Sequence, residues 1–166
     1  MLLRKIFHSL ALLTLVALNS PAQINDAEAN RIAAYPITAD LFQRYASVTI
    51  AMAKLPVNDP IRAQLNALPS AALDERVRRF EASPGAVSIL KSNGISARDM
   101  VMTSAAVSSA MVVKPAMKAG VGPNAATKLD WASTSPDHLK FFDTHKADID
   151  KFQVDLRAAM GLPPRH

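Results

Sequence analysis

Residues 91–120, KSNGISARDMVMTSAAVSSAMVVKPAMKAG, decide how this chain folds. The stretch holds a stop, a start, and then small and apolar residues with no charge between Asp99 and Lys114. Gly94 stands where a left-handed residue closes a helix, and Ile95 supplies the apolar contact that accompanies such an ending. Ser96-Ala97-Arg98-Asp99 has capping-box spacing, with Asp99 in place of the more usual Glu. Its charge also falls in the first turn, where the helix dipole favours it. One helix therefore stops at Asn93 and a long one starts at Ala97. From Thr103 to Ala110 every residue but Val107 is Thr, Ser or Ala. A helix without a charged face is enclosed by others. Small residues let its neighbours approach closely, and the hydroxyls can bond to backbone carbonyls of the same helix. This pattern predicts the central helix of an all-α domain. Pro115 is expected to kink it, or to end it near Val113, because proline lacks a backbone donor and clashes one turn back.

Working outward, Pro36 pushes Tyr35 into an extended conformation, so residues 23–36 read as an extended or short helical lead-in, with Asp26 as a possible cap. Thr38 is an N-cap for a helix whose apolar stripe is Leu41, Tyr45, Val48, Met52 and Leu55, ended by Pro56. Asp59-Pro60 starts a short helix to about Leu68. Pro69-Ser70 opens the next, with Leu73, Val77 and Phe80 on one face. Ser83-Pro84 repeats the cap-and-proline device, and Val87 with Leu90 or Lys91 continues the pattern. Residues 120–133 read as a loop with its sharpest turn at Gly122-Pro123-Asn124, and Trp131 folds back over the core. Thr134-Ser135-Pro136 starts a closing helix expected to run to Met160 and stop at Gly161, its stripe being Leu139, Phe142, Ile149, Phe152 and Leu156. Residues 162–166 are expected to fray. The fold class is thus a single compact all-α domain, residues 37–161, of five or six helices around a small-residue helix.

The N-terminus has a different character. Arg4 and Lys5 precede an apolar run from Ile6 to Leu18, and Asn19-Ser20-Pro21-Ala22 follows with small residues at the positions a signal peptidase inspects. This is the layout of a secretory signal peptide, with cleavage expected near Ala22. The run is short of the roughly 20 residues a membrane span needs. No second stretch reads as a span in the mature chain. The expected location is therefore periplasmic or extracellular. Removing Arg4 and Lys5 from 19 basic residues leaves 17 against 14 acidic ones, a net +3. The only basic cluster, Arg76, Arg78 and Arg79, lies among Asp74, Glu75 and Glu81, which reads as a solvated helix face and not as a nucleic-acid surface. The chain has no cysteine, so neither disulfides nor thiolate chemistry is available to it.

Three segments carry a resemblance: YPIT at residues 35–38, NGISARDMVMTSAAV at 93–107, and TSPDHLKFFDTHKADI at 134–149. Together they resemble a family of small exported bacterial all-helical proteins of uncharacterised function, over roughly Tyr35 to Ile149. The chain departs from that pattern at Met100, where an aromatic is expected, and at Pro115. The resemblance implies an exported helical protein and brings no catalytic residues.

Candidate chemistry is sparse. His138 and His145 lie seven apart, two turns along one face of the expected closing helix, with Asp148 one turn further. Their separation of about 10.5 Å of rise is too long for both to hold one ion, so they read as part of a solvated charged face. Asp143, Asp148, Asp150 and Asp155 alternate with Lys140, Lys146, Lys151 and Arg157 in the pattern of surface ion pairs. There is no Gly-X-Ser-X-Gly elbow, no phosphate-binding glycine loop, and only nine aromatics to line a glycan cleft. Met52, Met100, Met102, Met111, Met117 and Met160 read as adaptable core filler, since Met100 and Met102 cannot face one copper ion from a helix. No catalytic, cofactor-binding or metal-ligating residue is assigned. The sequence points to an exported non-enzymatic binding or interaction protein of the cell envelope, with an envelope protein as partner. The alternative is a carrier of a small apolar ligand in a Met-lined cavity, with Trp131 as its lid.

Overall fold

The computed structural model describes residues 25–62, 71–124 and 127–163. The signal-peptide reading, the second half of the helix expected after Asp59, the Pro69-Ser70 start and the last three residues lie outside the described residues. Among those described there are eight α-helices and no strand: α1 Asp26–Ala33, α2 Ala39–Ala53, α3 Leu73–Glu81, α4 Pro84–Ser92, α5 Ala97–Lys118, α6 Lys128–Ala132, α7 Pro136–Thr144 and α8 Lys146–Ala159. Residues 60–62 are also helical.

The α4–α5 junction forms as its residues require. Gly94 has φ +63°, and the Ile95 N–H donates to Leu90 O at 3.2 Å, the six-to-one bond of a Schellman ending. Ser96 Oγ accepts from the Asp99 N–H at 3.0 Å and donates to Asp99 Oδ2 at 2.7 Å. Arg44 of α2 donates to Gly94 O at 2.7 Å, tying this corner to a second helix.

From there α5 runs through the middle of the domain, against α1, α2, α3, α4, α6 and α7. Met100, Val101, Met102 and Thr103 are consecutive and all buried. At 100° per residue those four positions sweep most of the helix circumference, so this part of the helix is buried nearly all round, with only the Ser104, Ser108 and Met111 stripe half-buried. Ala106 and Ala110 have no exposed surface at all, the close approach that a one-carbon side chain permits. At 22 residues α5 is long and apolar enough to cross a bilayer, but 56% of its most apolar window is buried within this domain. Pro115 neither breaks nor ends it. The residue is exposed in the last turn, where only one ladder bond is forfeited and the ring faces solvent.

The flanking helices depart from expectation in instructive places. α2 buries Phe42, Tyr45, Val48 and Met52, while Leu41 and Leu55 are only half-buried. Phe42 sits at the centre of a ring cluster, with centroids 5.7 Å from Phe141, 5.7 Å from Phe152 and 6.2 Å from Tyr45. The closing segment is two helices, since His145 leaves helical geometry at φ −108°, ψ 29°. α7 then lies on α5, and α8 turns to pack on α2. The expected loop is shorter than read, because residues 128–132 form α6, carrying a half-buried Trp131 between α1 and α5. Val87 is exposed; Ala86 and Leu90 carry that face of α4.

The lead-in takes its helical alternative and belongs to the core, with Ala29 and Ile32 fully buried. It also completes another helix. The first residue of α3 has no side-chain cap of its own, and Glu28 Oε1 of α1 accepts the Leu73 N–H at 2.9 Å. A carboxylate at that end also suits the α3 dipole.

Candidate functional site

Of the two histidines in the charged-face reading, His145 stays partly exposed beside Asp148 and His138 does not. His138 is 1% exposed. Its Nδ1 accepts from the Ser135 N–H at 3.4 Å, and its Nε2 lies 2.7 Å from Tyr35 O. Those partners place the Nε2 proton toward the Tyr35 carbonyl. Both ring nitrogens thus face backbone partners. The reading of His138 as solvated is therefore corrected: as third residue of α7 it points back under the helix start, onto the α1–α2 connection. His145 lies at the α7–α8 break, its ring centroid 4.5 Å from that of Phe141 and its Nδ1 3.3 Å from Asp148 Oδ2. The two imidazoles share no ligand site. Among the described residues no group of three His, Asp or Glu side chains is arranged to hold a metal ion.

Tyr35 is the hub of a partly buried polar seam. Its hydroxyl donates to Asp99 Oδ1 at 2.6 Å, while its carbonyl takes the His138 proton. Burial pushes the Tyr35 phenol up, and the bond to Asp99 adds to the shift. Burial opposes ionisation of Asp99, but hydrogen bonds from Tyr35 and Ser96 outweigh it and hold the carboxyl below its ordinary range. The seam joins the α1–α2 connection to α5 and α7, and its hydroxyl and imidazole donors are committed to structural partners. It holds the fold together and offers no reactive group.

The methionines divide. Met52, Met100 and Met102 are buried in the one core cluster, and Met111 packs against it. An open groove of about 490 Å³ lies elsewhere, between the C-terminal ends of α2 and α8, lined by Ile50, Lys54, Asp155, Ala158 and Ala159. Met117 is different, being 49% exposed.

That exposure belongs to the projecting end of α5. α5 leaves the core after Val113, and Lys114 pairs with Asp143 of α7. Beyond it Pro115, Met117, Lys118 and residues 119–124 are all exposed, with Val121 at 51%. The tip is built by a second Schellman ending. Gly120 has φ +69°, which L-residues avoid, and the Val121 N–H donates to Ala116 O at 2.9 Å. This geometry sets Val121 back beside the last turn of α5, on the same projection as Met117. The tip has no acidic neighbour in the sequence: from Met100 to Leu129 there is no Asp or Glu. The next acid, Asp130, is turned inward onto Ser109 Oγ at 3.3 Å, and burial raises its carboxyl. The cations at the tip are Lys118 and, on the far side of the turn, Lys128, both exposed.

Elsewhere among the described residues the exposed large apolar side chains are Val57, Val87 and Val154. Val154 on α8 is 62% exposed beside the Lys151–Asp155 ion pair, and Val57 follows the end of α2. The exposed group at the α5 tip caps the apolar central helix. Its signal was the pair of glycines flanking Val121, a turn that leaves the intervening apolar residue no core to enter. No protein-family model, curated protein or solved structure matches the chain.

Proposed function

We propose that this is an exported, non-enzymatic binding protein of the bacterial cell envelope, released by cleavage near Ala22, whose contact surface is the projecting end of α5. The observation that carries the reading is the exposure of both Met117 and Val121 at one projecting helix end that carries no acidic residue. Isolated surface apolars need no explanation, but a contiguous group on a projecting element is a feature of contact sites. The histidines support a non-catalytic role, since one is committed to the fold and the other rests on Phe141. The resemblance to small exported helical proteins agrees with export. Met100 belongs to the packed core cluster and Met111 lies against it, which favours core filling over the carrier alternative.

Photo-crosslinking in intact cells tests the reading. A photoactivatable residue at position 121 is expected to form adducts, and the same group at position 154 is expected to form none. Equal labelling from both positions would overturn the assignment of the tip. The mass of the protein recovered from the envelope tests export separately: a chain still beginning at Met1 refutes cleavage near Ala22.

A further inference from the structure

The geometry points to an anionic lipid surface as what the α5 tip binds, an inference that rests on the binding reading above and names its partner. The first argument is shape. Residues 115–124, apart from Ala116, are exposed, so the tip projects and forms no groove to receive a side chain from another protein. Protein interfaces concentrate their energy in buried aromatic and arginine anchors, and the tip contains neither. The second argument is charge. Lys118 and Lys128 flank an apolar turn, Asp143 is taken up by Lys114, and Asp130 faces inward. Nothing acidic on the segment opposes approach to a negatively charged plane. The third is amphipathic reach. A lysine at the headgroup level keeps its ammonium at the phosphates while its stem follows the apolar residues inward, and Met117 and Val121 are the residues it would accompany. Shallow insertion at the boundary of headgroups and acyl chains needs this combination of a few apolar residues and flanking cations.

Each lysine near an anionic surface contributes about a five-fold change in partitioning, and two contribute about 25-fold. Binding is accordingly reversible and falls with salt, because the attraction is screened within about 10 Å at 0.1 M ionic strength.

The test uses the exported form of the protein, its N-terminus determined by mass. Flotation with vesicles of phosphatidylglycerol and phosphatidylcholine is compared with phosphatidylcholine alone. Because the chain has no cysteine, Val121→Cys and, as control, Val154→Cys each carry one environment-sensitive dye. Uptake on the anionic vesicles, a blue shift at position 121 and none at 154, and a loss of about five-fold for Lys118→Gln or Lys128→Gln are expected. Met117→Asp and Val121→Asp should abolish uptake while the helical circular dichroism and melting temperature stay unchanged. No uptake, equal uptake on both vesicle types, or uptake that survives the aspartate variants would each overturn the lipid assignment. If it falls, cellular crosslinking decides the broader reading. A protein adduct from position 121 keeps a binding protein with a protein partner, and no adduct removes that reading as well.

Discussion

Replacing His138 with alanine separates a buried structural histidine from a surface one. The ring is fully enclosed and donates to Tyr35 O at 2.7 Å. Alanine leaves that carbonyl without its partner at a cost of about 1–3 kcal/mol. The space vacated by the imidazole adds on the order of 1–2 kcal/mol, to the extent that α5 and α7 fail to close on it. The bond from Ser135 N–H is longer at 3.4 Å and contributes little more. The expected loss is therefore about 2–5 kcal/mol, a fall in melting temperature on the order of 10 °C for a domain of this size. Chemical denaturation with an unchanged slope measures it directly. His138→Gln should recover part of the loss, since its amide can still donate toward Tyr35. His145→Ala serves as control, because its contact with Asp148 is half-exposed and is expected to contribute about 0–1 kcal/mol. A His138→Ala variant within about 0.5 kcal/mol of the parent, the range of ordinary surface substitutions, would refute the buried assignment and with it the clasp between α7 and the α1–α2 connection.

Asp99 should give stability an acid limb. Its folded carboxyl titrates below its unfolded value, so its contribution is present above the unfolded value and is lost as pH falls through the folded one. Asp99→Asn should flatten the stability profile below about pH 4, read by thermal melts across pH. Asp130 has the opposite sign. Burial raises its folded carboxyl, so ionisation at neutral pH opposes folding, and Asp130→Asn should raise the melting temperature at pH 7 with a smaller gain in acid. Phe42→Ala removes the ring shared by three aromatic neighbours and should cost about 3–5 kcal/mol by denaturant titration. Pro115→Ala restores a backbone donor in the last turn of α5 and should stabilise by about 1 kcal/mol, and a loss of helicity instead would contradict an unbroken helix through position 115.

Local chemistry was legible along the chain. Gly94, Ile95, Ser96 and Asp99 act through bonds spanning at most five residues, so their spacing was enough to locate the α4–α5 junction. The enclosure of α5 was legible for a related reason, because a charge-free stretch of small residues cannot be matched to water on any side. Which face each flanking helix buries was less so. Leu41 and Phe42 start equally regular stripes on α2, and only the arrival of Phe141 and Phe152 from α7 and α8 selects the second. The break at His145 follows from the same competition, as α7 and α8 seek different neighbours and one straight helix cannot serve both. The reading of the candidate site divides along this line. The absence of reactive motifs was visible in the residue types, but the burial of His138, the cap that Glu28 gives α3 and the projection of Met117 with Val121 join residues far apart in sequence or depend on where the core ends. Sequence by itself determined the all-α class and the helix that must be central, because caps, turns and charge-free runs act within a few residues. Tertiary structure alone decided which polar groups are spent holding the helices together and which apolar ones are left facing outward, because a side chain's surroundings are set by elements the local pattern never meets.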